Sequence, residues 1–189
     1  KVLLEAKRKP DLPTTLFSKG GSHWNKLGAF FALEGILQHL RESGVETPEI
    51  RIEKIKISNS PDSYDRDLAK LMGLFKPPFY RCEAPVIEVE TGSLLSEKKS
   101  IVFQGGSFLD QIIEVLNMTD IFSSVDYYWY MMDVRKYPAG ERKKFKLDEV
   151  DWESFLSKDI LILEVNQQYI PLMGSGFPEE LVKVIKQRN

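Results

Sequence analysis

The feature that most constrains the fold is a strand–turn–helix pattern over residues 100–118. Residues 101–103 read Ile-Val-Phe, a short apolar run that is typical of a strand buried on both faces of a parallel sheet. Gly105, Gly106 and Ser107 follow, and the glycines permit a turn that residues with a β-carbon resist. Apolar residues then recur at helical spacing, namely Leu109, Ile112, Ile113 and Leu116. This order places one hydroxyl at the carboxyl edge of a sheet, beside the backbone N–H groups of a helix start, where open α/β sheets hold their chemistry.

Ser107 itself has two interpretations. Serine is among the commonest helix N-caps, and its oxygen would then accept a hydrogen bond from the N–H of Leu109 or Asp110. Alternatively, its hydroxyl is a nucleophile, which requires a base to take its proton. The stretch alone favours the cap, so the catalytic interpretation depends on finding a base elsewhere in the chain.

Composition limits the class of protein and the kind of partner. The chain has 189 residues, enough for one domain with a sizeable core, and 42% of them are hydrophobic and 29% charged, as in ordinary globular proteins. A formal net charge of −2 gives no reason to expect nucleic acid or an anionic membrane as partner. The single cysteine, Cys82, excludes an internal disulfide and a cysteine-rich metal site, and we predict neither a metal nor a cofactor. No apolar run reaches the length of a membrane-spanning helix.

Helical and strand patterns alternate along the chain. Helices are predicted over residues 26–42, capped by Asn25 and ended by Gly44, and over 65–72, 151–156 and 177–186. Strands are predicted over 50–57 with a bulge at 53–54, and over 86–89, 125–132 and 160–163, whereas 136–146 is expected to be a mobile loop. The continuous apolar strand 160–163 is expected to be buried like the strand at 101–103. We therefore predict an α/β layer fold with a mostly parallel sheet, in one domain over residues 1–189.

Histidine is the usual base for a serine near neutral pH, and the chain has only two. His39 falls in the middle of the predicted helix 26–42 and is expected on its solvated side with Glu42. His23 lies on the loop that enters this helix, where it could also stack on Trp24 or cap the helix. If the serine has a base, it is His23, and we then expect His23 and Ser107 to converge at the sheet edge.

Four blocks of the chain resemble those of one known protein family. Residues 22–29, Ser-His-Trp-Asn-Lys-Leu-Gly-Ala, resemble its Asp-x-His-Trp block, and residues 67–74, Asp-Leu-Ala-Lys-Leu-Met-Gly-Leu, resemble a Gly-Asp-Leu-Ala block. Residues 102–108 resemble its Gly-(Asp/Thr)-Ser-(Phe/Tyr) nucleophile block, and residues 159–166 resemble its late strand. This family is that of the SGNH-hydrolase-like alginate O-acetyltransferases, in which the histidine block likewise precedes the serine block. The resemblance runs from about residue 16 to residue 177.

The resemblance implies a three-layer α/β/α domain of the SGNH or flavodoxin-like type, with a serine nucleophile at Ser107 and a general base at His23. The N–H groups of Gly106 and Ser107 would hold the oxyanion. Because the family's domain has further sequence ahead of the histidine block, and this chain opens in a charged segment without methionine, we expect the N-terminal part of the domain to be missing.

Two positions depart from the family pattern. Gly106 replaces an aspartate or threonine, and Gly21 stands where the family has the acid that orients the histidine. Asp11, Asp110 or Glu164 could supply that acid through space. Otherwise, Gly21→Asp is expected to keep the fold and to raise activity tenfold or more, since loss of such an acid costs about four orders of magnitude in rate.

The implied function is an O-acetyltransferase or acetylesterase that acts on an exopolysaccharide or cell-wall glycan through a serine acyl-enzyme. An extracytoplasmic location and a membrane-bound acyltransferase partner are expected with it. Aromatic rings bury sugar faces and an arginine binds acidic groups, so the candidate substrate-binding residues are Trp24, Tyr128, Trp129, Tyr130 and Arg135. Side chains alternate across a strand, so about half of the aromatic run 127–130 is expected to be core.

Two alternatives remain open from the sequence. One is a catalytically decayed relative that binds polysaccharide, or supports a partner acyltransferase, without chemistry; the absent acid at Gly21 favours it. The other is an ordinary α/β interaction domain, for which the four block matches would be chance.

Overall fold

A computed structural model describes residues 2–8, 12–61, 64–73, 83–93, 95–130, 133–165 and 176–188. The chain divides into two compact units, one formed by Lys1–Ser96 and Asp110–Ile121 and the other by Glu97–Leu109 and Phe122–Asn189. The single domain predicted for residues 1–189 stays a prediction. Of the helices in the described ranges, none is long and apolar enough to cross a membrane.

The first unit is organised around one long helix. A short helix, α1 (Val2–Ala6), precedes the long helix α2 (Lys26–Glu42). The bounds of α2 confirm the helix predicted over residues 26–42. The Asn25 side chain accepts from the Gly28 N–H at 3.0 Å, which satisfies one of the otherwise unpaired amides at a helix start. The buried side of α2 carries the core of this unit, formed by Leu27, Ala29, Phe30, Phe31, Leu33 and Leu37. The loop ahead of α2 is thereby anchored to a rigid element.

A two-stranded antiparallel sheet and a short helix follow in this unit. Strand β1 (Ile50–Ser58) pairs with β2 (Ala84–Thr91), and the register shifts between Ile52 and Lys54, where a bulge was predicted. Between the two strands, a 3₁₀ turn (Tyr64–Arg66) leads into α3 (Asp67–Leu71). The start of α3 is important for the site described below.

The second unit contains a five-stranded mixed sheet. Its strands are β3 (Ser100–Gly105), β4 (Ser124–Trp129), β5 (Asp133–Tyr137), β6 (Glu141–Lys144) and β7 (Ile160–Leu163). They lie in the order β6-β5-β4-β3-β7; β3 is parallel to both neighbours, whereas the β4–β5 and β5–β6 pairs are antiparallel. The α/β class is confirmed, but the sheet is mixed rather than mostly parallel among the described strands. As predicted, β3 is buried, and α4 (Phe108–Leu116) follows it directly.

Two sequence predictions for this sheet were wrong. The stretch 136–146 is not a mobile loop, because most of it forms the β5–β6 hairpin. The buried Asp133 carboxylate holds that hairpin by accepting from Arg135 Nε at 2.8 Å and from Arg142 Nη2 at 2.7 Å. Strand β7 is not buried like β3: Leu161 and Leu163 remain 38% and 42% exposed, since β7 is the edge strand of the described sheet.

The core of the second unit is largely aromatic. Helices α5 (Trp152–Leu156) and α6 (Phe177–Arg188) contribute to it, and its buried members are Val102, Tyr128, Phe145, Val150, Phe155, Phe177 and Leu181. The Tyr128 ring meets those of Phe145 and Phe155 edge-on, with centroids 5.2 and 5.5 Å apart. Such edge-to-face pairs stabilise a core beyond the area that they bury. This packing fixes β3 and β4, whose ends carry the residues discussed next.

Candidate active site

His23 is oriented by a carboxylate in the first unit. It lies on the loop just before α2, next to Trp24, which forms a β-bridge with Phe17. Its Nδ1 is 2.7 Å from Oδ2 of Asp67, the first residue of α3, and the two side chains are only 12% and 26% exposed. The structure therefore supplies the acid partner of His23 that the sequence prediction lacked.

Asp67 is held as a charged acceptor. Ser22 donates to it through both its N–H and its hydroxyl, each at 2.7 Å, and the Leu68 N–H donates at 2.6 Å. Burial on its own raises the pKa of the Asp67 carboxyl, but the bonds from Ser22, His23 and Leu68 together lower that pKa below its usual value. An ionised carboxylate only accepts hydrogen bonds, so the proton of the His23 ring lies on Nδ1 and the lone pair lies on Nε2. This is the tautomer that a general base needs.

Further contacts hold the segment 64–69 against the loop that carries His23. The buried Asp65 carboxylate accepts from the Ser18 hydroxyl, and the Ala69 N–H donates to the Gly20 carbonyl at 2.9 Å. The Tyr64 ring meets the His23 ring edge-on at 5.2 Å, and its hydroxyl donates to Asp110 at 2.5 Å. Several independent contacts therefore fix both members of the His23–Asp67 pair.

The identity of the acid corrects the sequence analysis. Asp110 and Glu164 were predicted as candidates, but the carboxylate on His23 Nδ1 is that of Asp67; Asp110 accepts from Tyr64, and Glu164 accepts from Gly106. Asp11, the third candidate, lies outside the described residues. Asp67 belongs to one of the matched blocks, and that match was the signal available in the sequence. Because 44 positions separate it from His23, no local pattern linked the two.

Gly21 is a glycine because another backbone segment lies against it. A Cβ built at this position would overlap the carbonyl oxygen of Tyr64 and would lie 3.2 Å from backbone atoms of Asp65. The expectation that Gly21→Asp keeps the fold is therefore wrong. The physical reason is crowding, since φ of Gly21 is not in the left-handed region.

We expect Gly21→Ala to lower the free energy of unfolding by about 3 kcal/mol, because the backbone of residues 64–65 must shift to admit a methyl group. Urea denaturation measures this loss. Gly44→Ala is the matched control: a Cβ there has open space but φ is +84°, so only conformational strain of about 1 kcal/mol is expected. Wild-type stability in Gly21→Ala would contradict this account of the site.

In the second unit, Ser107 lies where β3 passes into α4, as the sequence predicted. The Leu109 N–H, one of the two donors expected for a capping serine, donates to the Gly106 carbonyl at 3.0 Å. The Ser107 Oγ lies 3.4 Å from the Tyr130 hydroxyl. The Tyr127 hydroxyl donates to the Gly106 carbonyl at 2.6 Å and so fixes the peptide that precedes the serine.

The two glycines before Ser107 allow close packing rather than an unusual backbone angle. Neither has a positive φ. A Cβ at Gly105 would lie 2.7 Å from the Glu164 side chain, and a Cβ at Gly106 would overlap the Tyr130 ring. Glu164 also accepts from the Gly106 N–H at 2.6 Å, so the amide predicted as an oxyanion donor is bound to a carboxylate in this structure.

The predicted substrate-binding residues fall into two groups. Tyr128 is a core residue, 5% exposed, and burial followed by the charges of Asp126 and Asp151 raises its pKa to about 12. Tyr128 is thus part of the core half expected of the aromatic run, and a contact of Tyr128 with substrate stays a prediction. Tyr130 is 38% exposed, and Trp24 and Trp129 are half-buried.

Arg135 is held within its own sheet. It donates to Asp133, and its guanidinium carbon lies 5.0 Å from the centre of the Trp129 ring, where a cation–π attraction helps to fix that ring. A role in binding an acidic sugar stays a prediction. The other histidine, His39, is confirmed on the solvated side of α2, with its side chain 81% exposed and 4.0 Å from Glu42.

The first unit contains His23 and Asp67, and the second unit contains Gly106, Ser107 and Tyr130. The convergence of His23 and Ser107 stays a prediction. Taken by unit, the described residues define an α/β protein with a carboxylate-oriented histidine and a serine at a strand–helix junction.

Comparisons with known proteins bear on the fold. A scan against protein-family models and a search of curated proteins found no match. Among solved structures, the O-acetyltransferase domain of AlgJ from Pseudomonas putida matches with a TM-score of 0.50 and 13% identity. The match covers 96% of this chain and 64% of that one. The resemblance noted in the sequence blocks is therefore found in the fold as well.

Proposed function

We propose that this chain is a serine-dependent O-acyltransferase or acetylesterase that acts on a polysaccharide, in an SGNH-like three-layer α/β/α domain. The observation that carries the proposal is the His23–Asp67 contact of 2.7 Å. Holding a histidine in the tautomer that leaves Nε2 basic is the arrangement a weak oxygen nucleophile requires. The fold likeness to an O-acetyltransferase domain supports the same class.

The proposed reaction follows the usual course of acyl transfer. Ser107 Oγ attacks the carbonyl carbon of an acetyl ester while its proton passes to His23 Nε2, and the carbonyl electron pair moves onto oxygen. Collapse of this tetrahedral intermediate expels the donor alcohol, which takes the proton from His23, and leaves acetyl-Ser107. A sugar hydroxyl or water then attacks the acetyl-enzyme by the reverse proton movements.

The position of Asp67 also weakens the main alternative function, a decayed relative that binds polysaccharide without chemistry. A decayed relative without chemistry was favoured by the absence of an acid at Gly21, and the Asp67 carboxylate removes that reason. A binding protein has no use for an oriented general base held by bonds from Ser22 and Leu68. We accordingly favour the enzyme.

The acceptor is proposed to bind at Trp129, the half-buried last residue of β4. Its ring can bury the apolar face of a sugar, as aromatic side chains in glycan sites do. A glycan substrate would go together with an extracytoplasmic location and a membrane-bound acyltransferase that supplies the acetyl group. Both belong to the proposal and follow from the family resemblance of the four sequence blocks.

The test uses p-nitrophenyl acetate as donor and a uronate oligosaccharide as acceptor, with a neutral oligosaccharide of equal length in parallel. We expect p-nitrophenolate release and an acetylated acceptor by mass spectrometry. Trp129→Ala should weaken acceptor binding by about 1 kcal/mol, because the sugar face loses its ring. Release without acceptor acetylation would identify an esterase. Glycan binding without any release would contradict the proposal and favour the decayed relative.

A further inference from the structure

Tyr130 is held in an unusual conformation directly beside Ser107. It follows β4 with φ of +42°, in the left-handed region that residues with a side chain rarely adopt. Its N–H donates to the Gly105 carbonyl at 3.0 Å, so the turn is tied to the end of β3. Local strain of this kind costs about 1–3 kcal/mol and persists where the surrounding structure enforces it, often at functional sites.

The Tyr130 ring occupies the space that a side chain at position 106 would fill. A Cβ at Gly106 would overlap Cζ and the hydroxyl oxygen of Tyr130, so the hydroxyl end of the ring lies against Gly106, the residue before the serine. The Trp129 ring meets the Tyr130 ring edge-on, with the centroids 5.3 Å apart, and so helps to hold it. The hydroxyl is thereby fixed 3.4 Å from the Ser107 Oγ.

The site needs an oxyanion donor other than the Gly106 amide. That N–H is 2.6 Å from Oε2 of Glu164, and a carboxylate competes strongly for an amide because charged acceptors make the stronger hydrogen bonds. Glu164 is itself fixed by its N–H, which donates to the Gln104 carbonyl at 2.9 Å. With this amide engaged, the Tyr130 hydroxyl is a donor that the same unit presents beside the nucleophile.

We propose that the Tyr130 hydroxyl is an oxyanion donor of this enzyme, an inference that rests on the function proposed above. As Ser107 Oγ bonds to the ester carbon, the carbonyl electron pair moves to oxygen, and the Tyr130 O–H donates a hydrogen bond to that oxygen. The phenol keeps its proton throughout, since the serine proton goes to His23 and then to the leaving alcohol. When the intermediate collapses, the carbonyl re-forms and this bond weakens.

The distance between the Tyr130 hydroxyl and Ser107 Oγ fits an oxyanion donor better than it fits a hydrogen bond to the serine. At 3.4 Å, the Tyr130–Ser107 pair is longer than an optimal O–H···O bond, so the phenol does not compete strongly for the serine hydroxyl. The oxyanion forms on the carbon attached to Oγ, and an effective donor is placed for that later position rather than for the resting atoms. Tyrosine hydroxyls are among the groups that serve as such donors.

The test is Tyr130→Phe, which keeps the ring against Gly106 and removes only the hydroxyl. We expect kcat for p-nitrophenyl acetate to fall about 100-fold with KM nearly unchanged, because one transition-state donor is lost. A phenylboronic acid, which forms a tetrahedral adduct on the serine, should bind at least tenfold more weakly. Acceptor-glycan affinity should not change. Tyr137→Phe is the matched control, since Tyr137 pairs with Val125 at the other end of β4 and should keep wild-type rates.

Each other outcome overturns the assignment in a recognisable way. Wild-type kcat and boronate affinity in Tyr130→Phe, with Ser107→Ala inactive, would refute the donor role and leave the proposed function intact. A rise in KM alone, with boronate affinity unchanged, would show that the hydroxyl binds substrate instead. Wild-type activity in Ser107→Ala would refute the proposed function itself.

Discussion

Asp67→Asn is expected to lower kcat for acetyl-ester cleavage by about four orders of magnitude while the protein stays folded. An asparagine can offer its amide N–H to His23 Nδ1, which draws the ring proton to Nε2 and removes the lone pair that takes the serine proton. The low pKa of the Asp67 carboxyl keeps it charged throughout the neutral range, so the wild-type enzyme holds the productive tautomer there. Steady-state kinetics at neutral pH, with circular dichroism of both proteins, measures the effect.

The rival carboxylates of the sequence analysis make the controls for this experiment. Asp110→Asn removes the charge that accepts from Tyr64, and Glu164→Gln keeps an acceptor for the Gly106 N–H. Each is expected to cost far less than Asp67→Asn, because the His23 tautomer is set by the group on Nδ1. A loss of four orders of magnitude in Asp110→Asn or Asp11→Asn, with Asp67→Asn active, would assign the acid elsewhere.

Local signals in the sequence predicted the elements that position the site. The Asn25 cap and the apolar side of α2 placed the histidine loop at a helix start, and the apolar run of β3 followed by Ser107 gave the strand–helix junction. Both depend on residues within a few positions of one another. For that reason they could be predicted from spacing alone.

The remaining features depend on contacts between distant segments. Asp67 reaches His23 only because the segment 64–69 packs against the loop that carries His23. The same packing leaves no room for a side chain at position 21, which is why that residue is glycine. Likewise, position 106 is a glycine because the Tyr130 ring fills the space that a side chain there would need.

The β5–β6 hairpin was missed for a related reason. Its sequence is polar, and the ion pairs of Asp133 with Arg135 and Arg142 hold it in place of an apolar face.

The central claim is that His23 activates Ser107, and covalent labelling with a sulfonyl fluoride tests it most directly. The serine oxygen displaces fluoride from sulfur as the base takes its proton, so the label marks an activated nucleophile. We predict one adduct, on Ser107, by peptide mass spectrometry, and a labelling rate at least about four orders of magnitude lower in His23→Ala. His39→Ala, which changes the exposed histidine of α2, should label at the wild-type rate. An adduct on another serine, or undiminished labelling of Ser107 in His23→Ala, would contradict the account.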